Sequence, residues 1–206
     1  MVHSFTLSAP KRGGSAAPCR PVADRQAGAA PRLSGLALAL LVAVTAPALR
    51  ALEVGDEAPD FELPATDGQR YRLSEMEGQS SVVLAWFPQA FTSGCTIECK
   101  SLAKHGDKLR EYDVRYFMIS VDPIEENQRF ARALDADFPL LSDESKAVAE
   151  AYDVLYQNRF ALRHTIYIDE GGVITAIDSN VNPQTSAEDM LATLERLGVE
   201  RRPEDQ

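Results

Sequence analysis

The chain has 206 residues, 45% hydrophobic and 25% charged, an ordinary globular composition that excludes collagenous, low-complexity and disulfide-dense classes. Thirty-one acids against 21 bases give a net charge of −10 with no Lys/Arg-rich run beside interleaved aromatics, so no nucleic-acid partner is expected. The three cysteines, Cys19, Cys95 and Cys99, fit neither a disulfide framework nor paired zinc knuckles and point to thiol chemistry.

Residues 1–51 read as an export or targeting leader, cleaved or without packed structure. Lys11, Arg12, Arg20, Arg25, Arg32 and Arg50 stand against the single acid Asp24, and the uncharged Leu33–Leu49 run is short of the ~20 residues that comfortably span a bilayer. Ala46, Ala48 and Ala51 offer cleavage sites, with a mature start near Leu52. The expectation is a periplasmic protein. An uncleaved anchor, which would be the only membrane contact, and import to a plastid lumen remain open. Taking six bases and one acid from the totals of 21 and 31 leaves 15 against 30, a net charge of −15 on residues 52–206, of which 52–200 read as one domain. Residues 201–206 read as a charged tail.

Within the domain, Phe61–Leu63 and Tyr71–Leu73 flank a Thr66-Asp67-Gly68 turn signal and predict an N-terminal hairpin. The nearly all-apolar Ser81–Phe87 predicts a central strand covered on both faces, ending at Pro88. A helix is predicted over 93–112, with Ile97, Leu102 and Leu109 as its apolar positions and Gly106 as its weak point. Val114–Val121 follows as a strand, then a 123–134 helix with Asp122 as N-cap and Pro123 at its first position. Phe138–Leu141 is a short strand and Glu144–Tyr152 a short helix. Thr165–Ile168 and Val173–Ile177 form a hairpin, and Ser186–Leu197 closes the domain as an amphipathic helix. The alternation predicts an α/β, thioredoxin-like fold: a mixed central sheet with helices on both faces.

Cys95 falls where a buried strand ends, the chain turns and a helix begins. Unpaired N–H groups in a first helical turn carry partial positive charge, so a thiol there is favoured as thiolate, the competent nucleophile. Thr92 reads as the N-cap, accepting from the Cys95 N–H. Glu98, placed in the first turn, is explained by the helix dipole alone.

The run Pro88, Thr92, Cys95 matches Pro-x-x-x-Thr-x-x-Cys, and the sequence here resembles the peroxiredoxin family. Residues 54–61, 94–98 and 163–169 resemble its peroxiredoxin Q, or bacterioferritin comigratory protein, branch. The resemblance implies that Cys95 is peroxidatic, that Thr92 and Arg163 orient peroxide and thiolate, and that Pro88 shields the site. It implies a thiol peroxidase for hydrogen peroxide and organic hydroperoxides, recycled by thioredoxin or a similar dithiol, with no metal or organic cofactor, as a monomer or weak dimer. The sequence departs from the branch in one respect. The resolving cysteine usual there lies five residues after the peroxidatic one, where this chain has Lys100, and Cys99 lies four residues on. Cys99 is the candidate resolver and one-cysteine chemistry the alternative.

Each residue also has a structural reading. Cys95 and Cys99 as small buried hydrophobes, Pro88 as a strand terminator, and Arg163 as an ordinary ion-pair partner would leave a non-catalytic thioredoxin-fold binding module. A thiol-disulfide oxidoreductase is a third possibility, weakened because three residues separate the cysteines instead of two.

Overall fold

A computed structural model describes residues 51–202. The leader with its apolar run and Cys19, and residues 203–206, lie outside the described residues. Among those described, no helix is long and apolar enough to cross a membrane.

The chain opens with the expected hairpin, β1 (Glu62–Pro64) and β2 (Arg70–Arg72), antiparallel with Leu63 opposite Tyr71. After a 3-10 turn, Leu73–Glu75, the apolar run forms β3 (Ser81–Trp86), every residue of which is buried. Next come α1 (Ser93–Lys104), α2 (Gly106–Arg110), β4 (Val114–Ser120), α3 (Ile124–Ala133), β5 (Leu140–Ser142) and α4 (Ala147–Ala151). The chain continues through β6 (Leu155–Tyr156), β7 (Phe160–Ala161), β8 (His164–Ile168) and β9 (Ile174–Asp178), and closes on α5 (Ser186–Leu197). The predicted 93–112 helix is two helices, broken at His105-Gly106, where glycine is the poorest helix former in the segment.

The five-stranded sheet has the order β5-β4-β3-β8-β9. Strand β3 is parallel to β4 and antiparallel to β8, so the sheet is mixed and the thioredoxin-like plan holds. Period-two alternation along β3 divides the core. Val83, Ala85 and Phe87 face α1, α3 and α5, whereas Val82, Leu84 and Trp86 face the other side. That second face is covered by α4, the β1–β2 hairpin and the 155–161 segment. Three long helices therefore share one face.

Two local expectations are corrected. Asp122 does not cap α3: Pro123 occupies the cap position and the Ile124 N–H donates to Glu144 Oε1 at 3.0 Å. Ile97 is not a core position of α1 but is 39% exposed, the buried face being Cys95, Glu98, Cys99, Ser101 and Leu102. Arg201 and Arg202, the first residues of the charged tail, lie against the domain: Arg201 pairs with Glu111 and lies 4.8 Å from the centre of the Tyr112 ring, and the Arg202 N–H donates to the Glu111 carbonyl.

Candidate active site

The site forms where the C-terminal end of β3 feeds α1. A parallel β3–β4 pair needs a crossover, and residues 87–113 supply it, so the loop after Trp86 must turn sharply to start a helix. Phe91 makes that turn with a left-handed backbone (φ 61°), an uncommon state for a bulky residue. Its ring lies edge-on to Phe130 of α3 with centroids 5.2 Å apart, and Phe87 stacks on the same ring at 5.8 Å.

Thr92 occupies the N-cap position of α1, but its side chain does not cap; Oγ1 donates instead to the Gln89 carbonyl at 2.9 Å and cinches the loop. The first-turn amides are thus left without a side-chain cap, and no acid lies in that turn. Their partial positive charge is directed at the third helical residue, Cys95.

Arg163 lies immediately before β8. The antiparallel β3–β8 register sets Trp86 opposite His164, which carries Arg163 to the same end of the sheet. Its Nη2 donates to Cys95 Sγ at 3.1 Å, and its Nη1 donates to the Glu98 carboxylate. Glu98 is 1% exposed and the Arg163 side chain 18% exposed, so the pair is largely withdrawn from water. Glu98 lies in the second turn of α1, not the first, and its explanation is this buried pairing rather than the helix dipole. A Cβ placed on Gly94 would meet Arg163 Nη2 at 3.1 Å, so the absent side chain at Gly94 leaves the guanidinium uncrowded beside the sulfur.

Cys95 and Cys99 are free thiols, both without exposed surface. Burial, and next the nearby Cys95, push the Cys99 thiol up to about 12. Four residues apart on α1, the two cysteines share a face at a Cα separation of ~6 Å with parallel Cβ directions, so a disulfide between them requires the helix to open. Farther along α1, Ser101 Oγ accepts from the Ala187 N–H and donates to the Gln184 carbonyl, tying the helix to the start of α5.

The sequence pattern of the AhpC/TSA family matches residues 54–177. The chain belongs to that family. Peroxiredoxin Bcp of Escherichia coli is 38% identical over 109 residues, covering 53% of this chain and 69% of the relative. The crystal structure of peroxidoxin BcpB from Mycobacterium tuberculosis has a TM-score of 0.65 at 31% identity, covering 71% and 98% of the respective chains. Plasmodium yoelii thioredoxin peroxidase I has a TM-score of 0.66 at 28% identity, covering 71% and 91%. The first two of these relatives put the chain in the bacterioferritin comigratory protein branch of the peroxiredoxins, whose general activity is thiol-based peroxide reduction.

In this peroxiredoxin the structure brings Cys95, Arg163 and Thr92 to the N-terminal end of α1, with Cys99 one turn farther along the same helix and Pro88 in the loop that leads into it. Sequence reasoning gave Glu98 to the helix dipole and Asp122 to helix capping; it missed the pairing of Glu98 with Arg163, the room that Gly94 leaves for the guanidinium, and the bond of Asp122, whose Oδ2 accepts from the Ala90 N–H of the same loop at 2.8 Å. One signal for Glu98 was available: it lies three residues after Cys95, on the helix face that carries both cysteines. An acid on that face needs a partner.

Proposed function

We propose that this chain reduces hydroperoxides through the Cys95 thiolate. The observation that carries the reading is the Arg163 Nη2 contact with Cys95 Sγ, at 3.1 Å, at the start of α1. The thiolate attacks the nearer peroxide oxygen; an S–O bond forms and the O–O bond breaks. Sulfur is oxidised to sulfenic acid, the peroxide is reduced, and the departing hydroxide or alkoxide takes up a proton. Charge moves from sulfur to the leaving oxygen, and fixed donors along that line lower the barrier: the Arg163 guanidinium, the amides around Gly94 and Cys95, and the Thr92 hydroxyl on reorientation from Gln89. Pro88 limits water at the loop. The chemistry needs no metal or organic cofactor.

In the favoured sequel the Cys99 sulfur attacks the Cys95 sulfenic acid, a disulfide forms and water leaves. Thioredoxin or a similar dithiol then reduces the disulfide and is itself oxidised. A second reading, resolution by an external thiol, is favoured by the buried state of Cys99 on an intact helix. Local opening of the first two turns of α1 costs less than global unfolding, which keeps Cys99 available.

Peroxide consumption by the 52–206 chain, compared with Cys95→Ser, tests the first step: consumption that survives the substitution overturns the reading. Intact-mass analysis after one equivalent of peroxide separates the two sequels. Loss of two hydrogens supports Cys99 as resolver, and a persistent oxygen adduct supports the external thiol. We further propose export to the periplasm by residues 1–51; N-terminal sequencing of the native protein starting near Leu52 is the expected result.

A further inference from the structure

We propose that Asp122 is a positioning residue for the reaction at Cys95, acting through the Pro88–Thr92 loop and not through contact with the sulfur. The inference rests on the peroxidase chemistry proposed above. The loop has no regular backbone pairing to hold it, and Phe91 sits in a left-handed conformation. The Thr92–Gln89 bond closes the loop on itself, but its placement against the rest of the domain depends on ties from outside. One is the Phe91 ring on Phe130, an apolar contact that leaves the backbone free to slide. The other is directional: the Ala90 N–H donates to Asp122 Oδ2 at 2.8 Å, a charge-assisted bond at a part-buried position.

Asp122 stands one residue before the cap position of α3, and it is released from helix capping because Glu144 takes the Ile124 N–H. Its own placement is fixed by a buried polar chain. The Asp122 N–H donates to Ser120 Oγ at 3.2 Å, and Asn127 Nδ2 donates to the same oxygen at 3.0 Å. Asn127 Nδ2 also reaches Ser142 Oγ at 2.9 Å and the Leu141 carbonyl at 3.2 Å. Ser120 and Asn127 have no exposed surface and Ser142 has 2%. A buried network whose members are paired resists displacement, because moving one member strands the others without water. The chain of bonds runs from β5 through α3 and β4 to Ala90, two residues from both Pro88 and Thr92. Asp122 is its last link and transmits the rigidity of the sheet to the loop.

The test compares Asp122→Ala and Asp122→Asn with the unaltered chain in three readouts: the second-order rate of Cys95 oxidation by hydrogen peroxide, the rate of Cys95 alkylation by iodoacetamide, and the melting temperature. Misplacement by a fraction of an ångström is expected to slow peroxide oxidation in Asp122→Ala by about tenfold. Alkylation, which does not need the oriented donors, is expected to stay within about twofold of the unaltered chain. Asp122→Asn keeps an oxygen acceptor for the Ala90 N–H and is expected to oxidise within about threefold of the unaltered chain. The proposal is overturned if Asp122→Ala oxidises at the unaltered rate, if Asp122→Asn is as slow as Asp122→Ala, or if alkylation falls in parallel with oxidation. Amide exchange at Ala90 in the unaltered chain needs no variant: protection is expected, and exchange as fast as at exposed Gln89 overturns the proposed tie. A chain that leaves peroxide untouched removes the peroxidase reading and this inference together, whereas equal rates for Asp122→Ala and the unaltered chain remove only the inference.

Discussion

Arg163 and Glu98 form an ion pair across 65 positions of sequence, with the carboxylate almost wholly withdrawn from solvent. A buried pair contributes little net stability against a well-packed apolar alternative, because both charges give up water. Its function is geometric: the carboxylate takes one side of the guanidinium and leaves Nη2 for Cys95. Removing one partner is therefore far more costly than the pair is worth. Glu98→Ala should destabilise the domain toward the lower end of the ~3–5 kcal/mol seen for broken buried pairs, since Arg163 keeps some solvent. Glu98→Gln retains an acceptor and should lose less stability while still slowing peroxide oxidation, because a neutral amide holds the guanidinium less firmly. Urea titration of both variants checks the order, and equal stability of Glu98→Ala and the unaltered chain would contradict it.

Gly94 offers a case in which reactivity should fall much further than stability. Alanine is the better helix former, but Gly94 is the second residue of α1 and its added Cβ presses on Arg163, so Gly94→Ala should leave the melting temperature unchanged or lower it slightly. That Cβ intrudes on Arg163 Nη2, which Glu98 and Cys95 prevent from yielding freely. Peroxide oxidation of Cys95 should fall by several-fold. In an Arg163→Lys background the same substitution should cost little, since the planar guanidinium that crowds Gly94 is gone. Additive losses in the double variant would argue against the steric account.

Alkaline pH should destabilise the domain. Burial pushes Tyr116 and Tyr167 up to about 12; burial and the Asp67 hydrogen bond do the same for Tyr71. Tyr152, which donates to the Pro59 carbonyl, is raised too, and Cys99 is held at about 12. Each folded value exceeds its unfolded counterpart of about 10 for a phenol or about 8.5 for a thiol. The unfolded chain thus releases these protons first. The associated stability is complete below about pH 8.5 and is lost progressively as pH rises toward 12. Thermal melts from about pH 8 to 11 should fall steadily, and Cys99→Ala should fall less steeply over the lower part of that range. A flat profile would show that these groups meet water in the folded state.

Much of this architecture was legible in the sequence, for identifiable reasons. The run that became β3 is continuous and apolar because the strand is covered on both faces, and α5 carries an unbroken amphipathic repeat over Ser186–Leu197. The spacing of Pro88, Thr92 and Cys95 located the loop. What escaped depends on partners remote in sequence. Asp122 looks like a helix cap until Glu144, 20 residues away from Ile124, is seen to do that work. Thr92 looks like one too, until its hydroxyl is found on Gln89. Strands β6 and β7 have two residues each, too short for alternation to register, and their turn is made by Gln157 and Asn158 in left-handed backbone states that local propensity does not announce.

Trp86 closes β3 on the face of the sheet away from the thiols, fully buried beside Tyr152, two positions before Pro88. It is the sole tryptophan of the chain. The molecule thus carries an intrinsic fluorophore separated from its sulfur chemistry by the thickness of one sheet. Emission that holds steady during turnover reports a rearrangement confined to the helical side; a spectral change on oxidation reports that it has propagated through β3 to the far layer.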